Sequence, residues 1–423
     1  MTRRVAAWVV RLELPILLLA TPFLVFPNAA RSPVMLVVPL LWVARRRALG
    51  RFVRRTPNDW ALALLLLMVL VSTIVTFDIL FSLPKIAGIV LGVGFYYALA
   101  ELDFKWFRPA VAVYLAGGVA LAGLGIFGLQ LDNKLPLVSG LVNRIPPLFS
   151  GIVNAENGLN PNEVGGTLLW FVPVYFALAS SLITRRGARQ RVLLAALLLV
   201  GGLLGSLALL VGQSRSAILG LAVALLLLLW LSGRWGRIAT MLIAAAGLIT
   251  FVAMGAPQLL DAASDAPATA AYLGSLDASS RVEIWERALY AIQDFPFTGV
   301  GLNNFRRIVP LLYPTLLIPP GMDIAHAHNH MLQVAVDVGL PGLVAWLALW
   351  GATGAMLVVI WRRSAPGPER AAAAGFAAGL LAWAVYGLTD TIALGAKPGI
   401  VFWMLLGLIA LLFLSRPRSK ILR

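Results

Sequence analysis

Apolar runs close to twenty residues long recur from one end of this 423-residue chain to the other. Backbone in hydrocarbon finds no water for its N–H and C=O groups, so runs of this length are driven into helices rather than into an open sheet. Twelve such segments lie near 13–29, 32–44, 60–80, 85–100, 108–130, 165–184, 191–212, 216–233, 238–255, 333–361, 371–389 and 396–415. The chain therefore reads as an all-α polytopic membrane protein of about twelve transmembrane helices. Charged residues make up 12% of it, about half of what a soluble domain carries. Arg3 and Arg4 ahead of the first run look like the start of a signal peptide, but no small-residue cleavage site follows. The run is expected to stay as the first span. Pro341, inside the long tenth segment, predicts an approach segment ahead of the true span.

Charge supplies the orientation. The net charge is +16. With a cytoplasmic N-terminus, alternation of the spans puts Arg45–Arg47, Arg185, Arg186, Arg234, Arg237, Arg362, Arg363 and the basic tail on one side. That side sums to roughly +19 and the other to roughly −3, the asymmetry expected of cytoplasmic and outer loops. Both termini are thus expected in the cytoplasm, and a basic balance that would suggest nucleic acid in a soluble protein is a topology signal here. The chain has no cysteine, which excludes disulfides, zinc–thiolate sites and thiol catalysis.

Two outward loops are long, near 131–164 and 256–332. They divide the chain into helices one to nine (1–255, with the first loop inside), a large outer loop (256–332), and helices ten to twelve with a basic tail (333–423). Loops of this length are usually functional or disordered. Within the second, Ser280-Arg281-Val282-Glu283 has the spacing of a capping box. Trp285, Ala288, Leu289 and Ile292 then recur at helical spacing, opposite Glu283, Glu286, Arg287 and Gln293. The pattern predicts an amphipathic helix on the membrane surface or against the spans, ended by Pro296 and the Gly299-Val300-Gly301 turn.

All three histidines fall within five residues: His326, His328 and His330. Alternate imidazoles can hold a metal ion, can be polar residues at a helix entry, or can include one general base, since imidazole titrates near neutrality. No carboxylate motif of zinc-enzyme spacing accompanies them. Cations on the outer side form a second signal, because the topology rule does not put them there. Arg215 sits in Gly212-Gln213-Ser214-Arg215-Ser216 between two apolar runs, where it either snorkels to headgroups or binds an anion. Arg281 lies in the first turn of its helix, where the macrodipole disfavours a cation, a mismatch that suits a site for something negative such as phosphate. Lys85, which opens a span after Pro84, and Arg144, in the first long loop, are weaker cases. Asp390, after the eleventh segment, reads as a solvated helix end or a functional acid. Asp337, in the apolar stretch past His330, reads as a cap or as a group that orients a histidine.

There is no phosphate-binding Walker loop, no acidic triplet for a nucleotide-sugar metal, and no serine elbow. The candidates face outward, where ATP and nucleotide sugars are not supplied, so an activated donor has to arrive attached to lipid.

At this point the residues resemble a family. His328-Asn329, nine residues, then Gly339-Leu340-Pro341-Gly342 looks like the His-Asn/Ser/Gln…Gly-x-x-Gly signature of bacterial O-antigen ligases, whose superfamily includes O-antigen polymerases and protein O-oligosaccharyltransferases. Asn160-Pro161-Asn162, the Arg215 turn, and the Arg281…Trp285 helix running through Asp294-Phe295-Pro296 to Gly299-x-Gly301 and Phe305 are similar as well. The resemblance implies metal-independent, inverting transfer of a glycan from undecaprenyl diphosphate to a hydroxyl of the lipid A–core oligosaccharide, at the periplasmic face of the bacterial inner membrane. It implies His328 as general base, with Arg215 and Arg281 on the diphosphate. Lys85, Arg144, Asn329 and Asp390 are expected around the substrates, with no cofactor, no metal and no nucleic-acid partner. His326 and His330 take no role from it. A polymerase or a protein glycosyltransferase would share these motifs. A transporter of lipid-linked glycan is the alternative from another class, but it would be expected to carry repeats, broken helices and mid-membrane charges.

Overall fold

The computed structural model describes residues 2–28, 30–129, 140, 144, 158–183, 189–253, 278–319 and 321–415. Among these, each of the twelve apolar segments is helical. The helices are α1 (Arg3–Arg11), α2 (Glu13–Val25), α3 (Val37–Leu49), α4 (Asp59–Val75), α5 (Ile79–Glu101), α6 (Phe107–Gly128), α7 (Pro161–Leu168), α8 (Val172–Ile183), α9 (Arg189–Gly212), α10 (Arg215–Leu231) and α11 (Arg234–Ala253). After them come α12 (Ala278–Asp294), α13 (Phe305–Leu312), α14 (His330–Arg363), α15 (Pro368–Tyr386) and α16 (Gly399–Leu414).

Among the described residues five helical stretches are long and apolar enough to cross a membrane unaided: Ile79–Glu101, Phe104–Gly128, Pro161–Ile183, Arg189–Gly212 and His330–Arg363. A sixth arises if α1 and α2, bent by 66° at Leu12, act as one. Helices α4, α10 and α16 are apolar but shorter. The chain is a multi-helix membrane protein. The loop expected near 131–164 lies outside the described residues except for 140, 144 and 158–164.

The bundle packs through small residues, as close helix contact in an apolar medium requires. A large core joins α4, α5, α6, α8, α14, α15 and α16 around an aromatic box: Trp170 stacks on Trp383 at 5.3 Å, Trp350 on Trp383 at 5.7 Å, and Trp346 tilts on Phe402 at 5.1 Å. A second core, around Leu17, Leu24, Leu41, Leu91 and Phe95, ties α2 and α3 to α5. Inside it Arg45 donates to Glu13 at 2.6 Å and to the Tyr97 carbonyl at 3.1 Å, a buried charge paired with its opposite.

The segment of α12 and α13, the outer segment of the expected topology, has a small core of its own, built from Ile284, Ala288, Ala291, Val300, Phe305, Val309, Ile324 and Ala327 with Val336 of α14. The expected amphipathic helix is present as α12, but turned from the predicted face. Its buried side carries Ile284, Ala288 and Ala291 together with Glu283 and Arg287, whereas Leu289 is exposed. The two charges are buried because they neutralise each other at 3.2 Å and because backbone groups need them. Glu283 accepts the Leu316 and Leu317 N–H groups, the latter at 3.0 Å, and Arg287 donates to the Pro314 carbonyl at 3.1 Å. The Glu283 carboxylate therefore serves the 314–317 turn, not the start of its own helix as a capping box would.

The interruption predicted by Pro341 occurs two residues earlier, at Gly339. Its φ of 72° splits α14 into a short approach and a long span. The break is where the outer segment docks. Leu340 donates to the Pro296 carbonyl and Val300 to the Val336 carbonyl, at 2.7 and 2.8 Å. A Cβ at Gly339 would lie 2.6 Å from the Phe297 carbonyl oxygen, so both backbone conformation and space demand glycine.

Candidate functional site

The site forms where the approach to α14 meets the loop between α15 and α16, at the end of the bundle capped by the outer segment. Asn329 caps α14: its Oδ1 accepts the Met331 and Leu332 N–H groups at 3.0 and 3.1 Å. Its Nδ2 donates to the Leu388 carbonyl at 3.0 Å, and the His330 N–H donates to the Gly387 carbonyl at 2.7 Å. These two bonds fasten the histidine turn to the end of α15. On the far side, His330 Nδ1 pairs with Thr391 Oγ1 at 2.8 Å, with the His330 ring lodged against Trp383 and Trp346.

His328 projects from a backbone with φ of 47°, a left-handed conformation that a non-glycine residue holds only under constraint. Three contacts constrain it. Its N–H donates to His326 Nδ1 at 3.3 Å, its carbonyl accepts from Trp285 Nε1 at 3.4 Å, and its Nδ1 lies 3.5 Å from Asp390 Oδ1. The same carboxylate oxygen accepts the Thr391 N–H at 2.8 Å. Asp390 is almost fully buried. Burial opposes its charge, but the hydrogen bond and charge of His328, the nearby His326 and the Thr391 N–H together hold its carboxyl below the usual carboxylate range. A carboxylate facing Nδ1 favours the tautomer with the proton there, which leaves Nε2 as the basic nitrogen.

His326 stacks on His328 with ring centroids 4.2 Å apart. Burial first, then the neighbouring His328, pushes its imidazole down to about 3, with Asp390 opposing. It is therefore neutral near pH 7. Ligating atoms of His326, His328 and Asp390 lie within 4.8 Å of one another, so the metal reading of the histidine cluster has a geometric counterpart in these three residues.

Arg281 reaches this pair from α12. Its guanidinium donates to the Thr389 carbonyl at 3.0 Å, which sets it beside Asp390, and its Nε is buried without a hydrogen-bond partner among the described residues. Asp390 Oδ2 and the Tyr386 hydroxyl are in the same condition. Lys85, expected at the opening of a span, sits one and a half turns into α5, which starts at Ile79 under an Asp78 cap. The loop after Asp390 presses on it: Gly395, with φ of 70°, has no room for a side chain above the Lys85 carbonyl. The cations of Lys85 and Arg306 both act on His326.

The structure thus brings His328, Asn329, Asp390 and Arg281 together, with Lys85 nearby. Arg215 stands exposed at the start of α10, after the left-handed Gln213. It lies at the same end of the bundle, because Gly165 of α7 packs on Ser214 and Ala217 while Gly166 packs on Tyr386. Among the described residues no hydrogen bond or ion pair joins Arg215 or Arg144 to the cluster, and Arg144 is exposed in a turn.

Sequence reasoning passed over Gln333, Thr391 and Tyr386, whereas Arg306 counts among the cations expected on the outer side. Gln333 carried a signal, as a polar amide in the apolar stretch four positions after the Asn that caps the helix. Thr391 and Tyr386 carried none, since only folding places them against His330 and Gly166.

Part of the chain is similar to known proteins. Residues 200–347, which run from within α9 past the Gly339 break, match the profile of the O-Antigen ligase family. Over 164 residues the chain is 30% identical to an O-antigen ligase from Pseudomonas aeruginosa, a stretch that is 38% of this chain and about a third, 35%, of that relative. The matched profile segment contains Arg215, Arg281 and His328, three of the residues on which the resemblance rested, so over this part the chain is similar to the O-antigen ligase family.

Proposed function

We propose that this protein transfers a glycan from undecaprenyl diphosphate to a hydroxyl of lipid A–core oligosaccharide at the periplasmic face of the inner membrane, with both termini in the cytoplasm. The observation that carries the reading is the pairing of His328 with Asp390 beside the Arg281 guanidinium. His328 Nε2 takes the proton of the acceptor hydroxyl as its oxygen bonds to the anomeric carbon. The bond from that carbon to the diphosphate oxygen breaks on the opposite face, and the configuration inverts. Asp390 holds the imidazole and stabilises the imidazolium that forms. Arg281, with Arg215 and Lys85 at the same end of the bundle, meets the charge that accumulates on the departing diphosphate. Guanidiniums do this bidentately, with no need of a metal ion.

The test uses the purified full chain in lipid nanodiscs, given undecaprenyl-diphosphate-linked glycan and lipid A–core with a chelator present. The product is glycan on the core lipid. Loss of one preorganised donor by Arg281→Ala or Arg215→Ala is expected to slow transfer on the order of 10²–10³-fold. Absence of transfer by the intact chain, or full activity in His328→Ala, overturns the mechanism. Abolition by chelator with restoration by added zinc assigns the His326–His328–Asp390 cluster to a metal instead. Elongated glycan on the donor lipid marks a polymerase.

A further inference from the structure

Helix α13 and the turn after it present leucines to the outside in an arrangement the protein takes trouble to hold. Phe305, Ile308 and Val309 are buried in the outer segment's core, whereas Leu311, Leu312, Leu316 and Leu317 are uncovered, Leu316 to 87%. A floppy turn would fold such side chains away. This one is fixed from beneath by the buried ion pair of α12: Glu283 grips the Leu316 and Leu317 N–H groups and Arg287 the Pro314 carbonyl. Two buried charges are committed to a turn whose leucine side chains are left uncovered by the described residues.

What lies opposite follows from where α13 is tethered. Asn303 Nδ2 donates to the Phe81 carbonyl at 3.0 Å, and the Arg307 and Arg306 guanidiniums lie over the Phe81 ring at 4.8 and 5.6 Å. Phe81 is in the first turn of α5, one of the helices long and apolar enough to span a membrane. The apolar residues at that end, Phe77, Ile79 and Leu80, are exposed as well. An uncovered apolar rim therefore runs from the end of a helix long enough to span a membrane to α13, with Arg307 exposed beside it. Short two-faced helices with cations at the polar edge lie in the interface of a bilayer.

We infer that α13 and the 311–317 turn are seated in the outer leaflet at the acyl–headgroup boundary, Leu311, Leu312, Leu316 and Leu317 in the acyl region and Arg307 toward the lipid phosphates. This surface does not depend on the glycosyl-transfer reading. It anchors the outer segment to the bilayer by an element separate from the spans, and the same short helix carries Arg306, whose charge reaches His326.

Because the chain has no cysteine, single labels are unambiguous. Leu312→Cys, Leu316→Cys and the control Asp323→Cys, each in the full chain, are labelled with an environment-sensitive fluorophore. They are reconstituted in nanodiscs of phosphatidylcholine and phosphatidylglycerol, with and without nitroxide-labelled lipid. The expected result is blue-shifted emission at 312 and 316, quenched several-fold more by nitroxide lipid than by aqueous iodide, with the reverse at 323. Iodide quenching at all three positions overturns the proposal. Labels at 312 and 316 shielded from both quenchers overturn it too, and indicate a protein occupant such as a second copy.

Discussion

The Gln333 side-chain oxygen accepts the N–H of Ala327, the residue between the two facing histidines, at 2.7 Å. The other end of the same amide donates to Asp337 Oδ1 at 2.9 Å. Both Gln333 and Asp337 are buried, so a single amide bolts the histidine turn to the first turns of α14. Gln333→Leu leaves a buried N–H and a buried carboxylate without this partner, each costing about 1–3 kcal/mol. The expectation is lower thermal stability and a fall in transfer rate that exceeds the loss of folded protein. Gln333→Glu keeps the acceptor for Ala327 but sets two carboxyls face to face, and is expected to recover activity as pH falls. A pH–rate series on both variants, normalised to folded protein, checks this, and two variants indistinguishable from wild type would remove Gln333 from the site.

In the proposed mechanism Asp390 acts through His328, from which it lies 3.5 Å, so the two are expected to be strongly non-additive. His328→Ala is expected to lower the transfer rate by about 10²–10⁴-fold, the usual contribution of a positioned base. Asp390→Asn keeps shape and removes the charge facing Nδ1, and is expected to cost about tenfold or more. The double variant should be no slower than His328→Ala alone. A product of the two single effects would show that Asp390 serves something other than the histidine.

Gly339 is the hinge between the site and the span. Gly339→Ala places a Cβ 2.6 Å from the Phe297 carbonyl oxygen on a backbone at φ 72°. The strained conformation alone costs about 1–3 kcal/mol. Thermal unfolding in nanodiscs should fall, with transfer reduced in step, because Gly339 also fixes where Pro296 and Phe297 end α12's segment. An unchanged unfolding temperature would mean that the chain closes this contact differently.

His326 makes the protein sensitive to acid. Its folded imidazole titrates near about 3 against an ordinary value of 6.5, so between those values the unfolded chain binds the extra proton. Stability therefore rises with pH across this window and is lost on acidification below about 6.5. The upper limit is about 1.4 kcal/mol per pH unit, and partial exposure of the ring reduces it to about 1 kcal/mol between pH 7 and 5. His326→Gln should flatten the dependence of the unfolding midpoint over that range. An identical pH slope in the variant would assign the acid sensitivity elsewhere.

The membrane class was legible in the sequence for a local reason. Backbone satisfaction in hydrocarbon acts within each run, so the twelve apolar segments become helices wherever they sit in the bundle. The Pro341 interruption was legible too, displaced by two residues because Gly339 absorbs the bend that proline imposes. The face of α12 was not. Periodicity assigns Glu283 and Arg287 to solvent, and only the 314–317 backbone, some thirty residues away, makes their burial favourable.

For the site, the sequence by itself determined the residue types on offer: one histidine cluster, an asparagine to cap its helix, and arginines between apolar runs. Tertiary structure alone decided which of these meet. His328 and Asp390 are brought to 3.5 Å across the whole of α14 and α15, and Arg281 reaches Thr389 from a different segment, while Arg215 and Arg144 stay out of direct contact. The physical reason is that helix formation is read from neighbours in the chain, whereas a catalytic pair is set by how helices pack, and that packing is fixed here by glycines and aromatic rings whose partners lie far away in sequence.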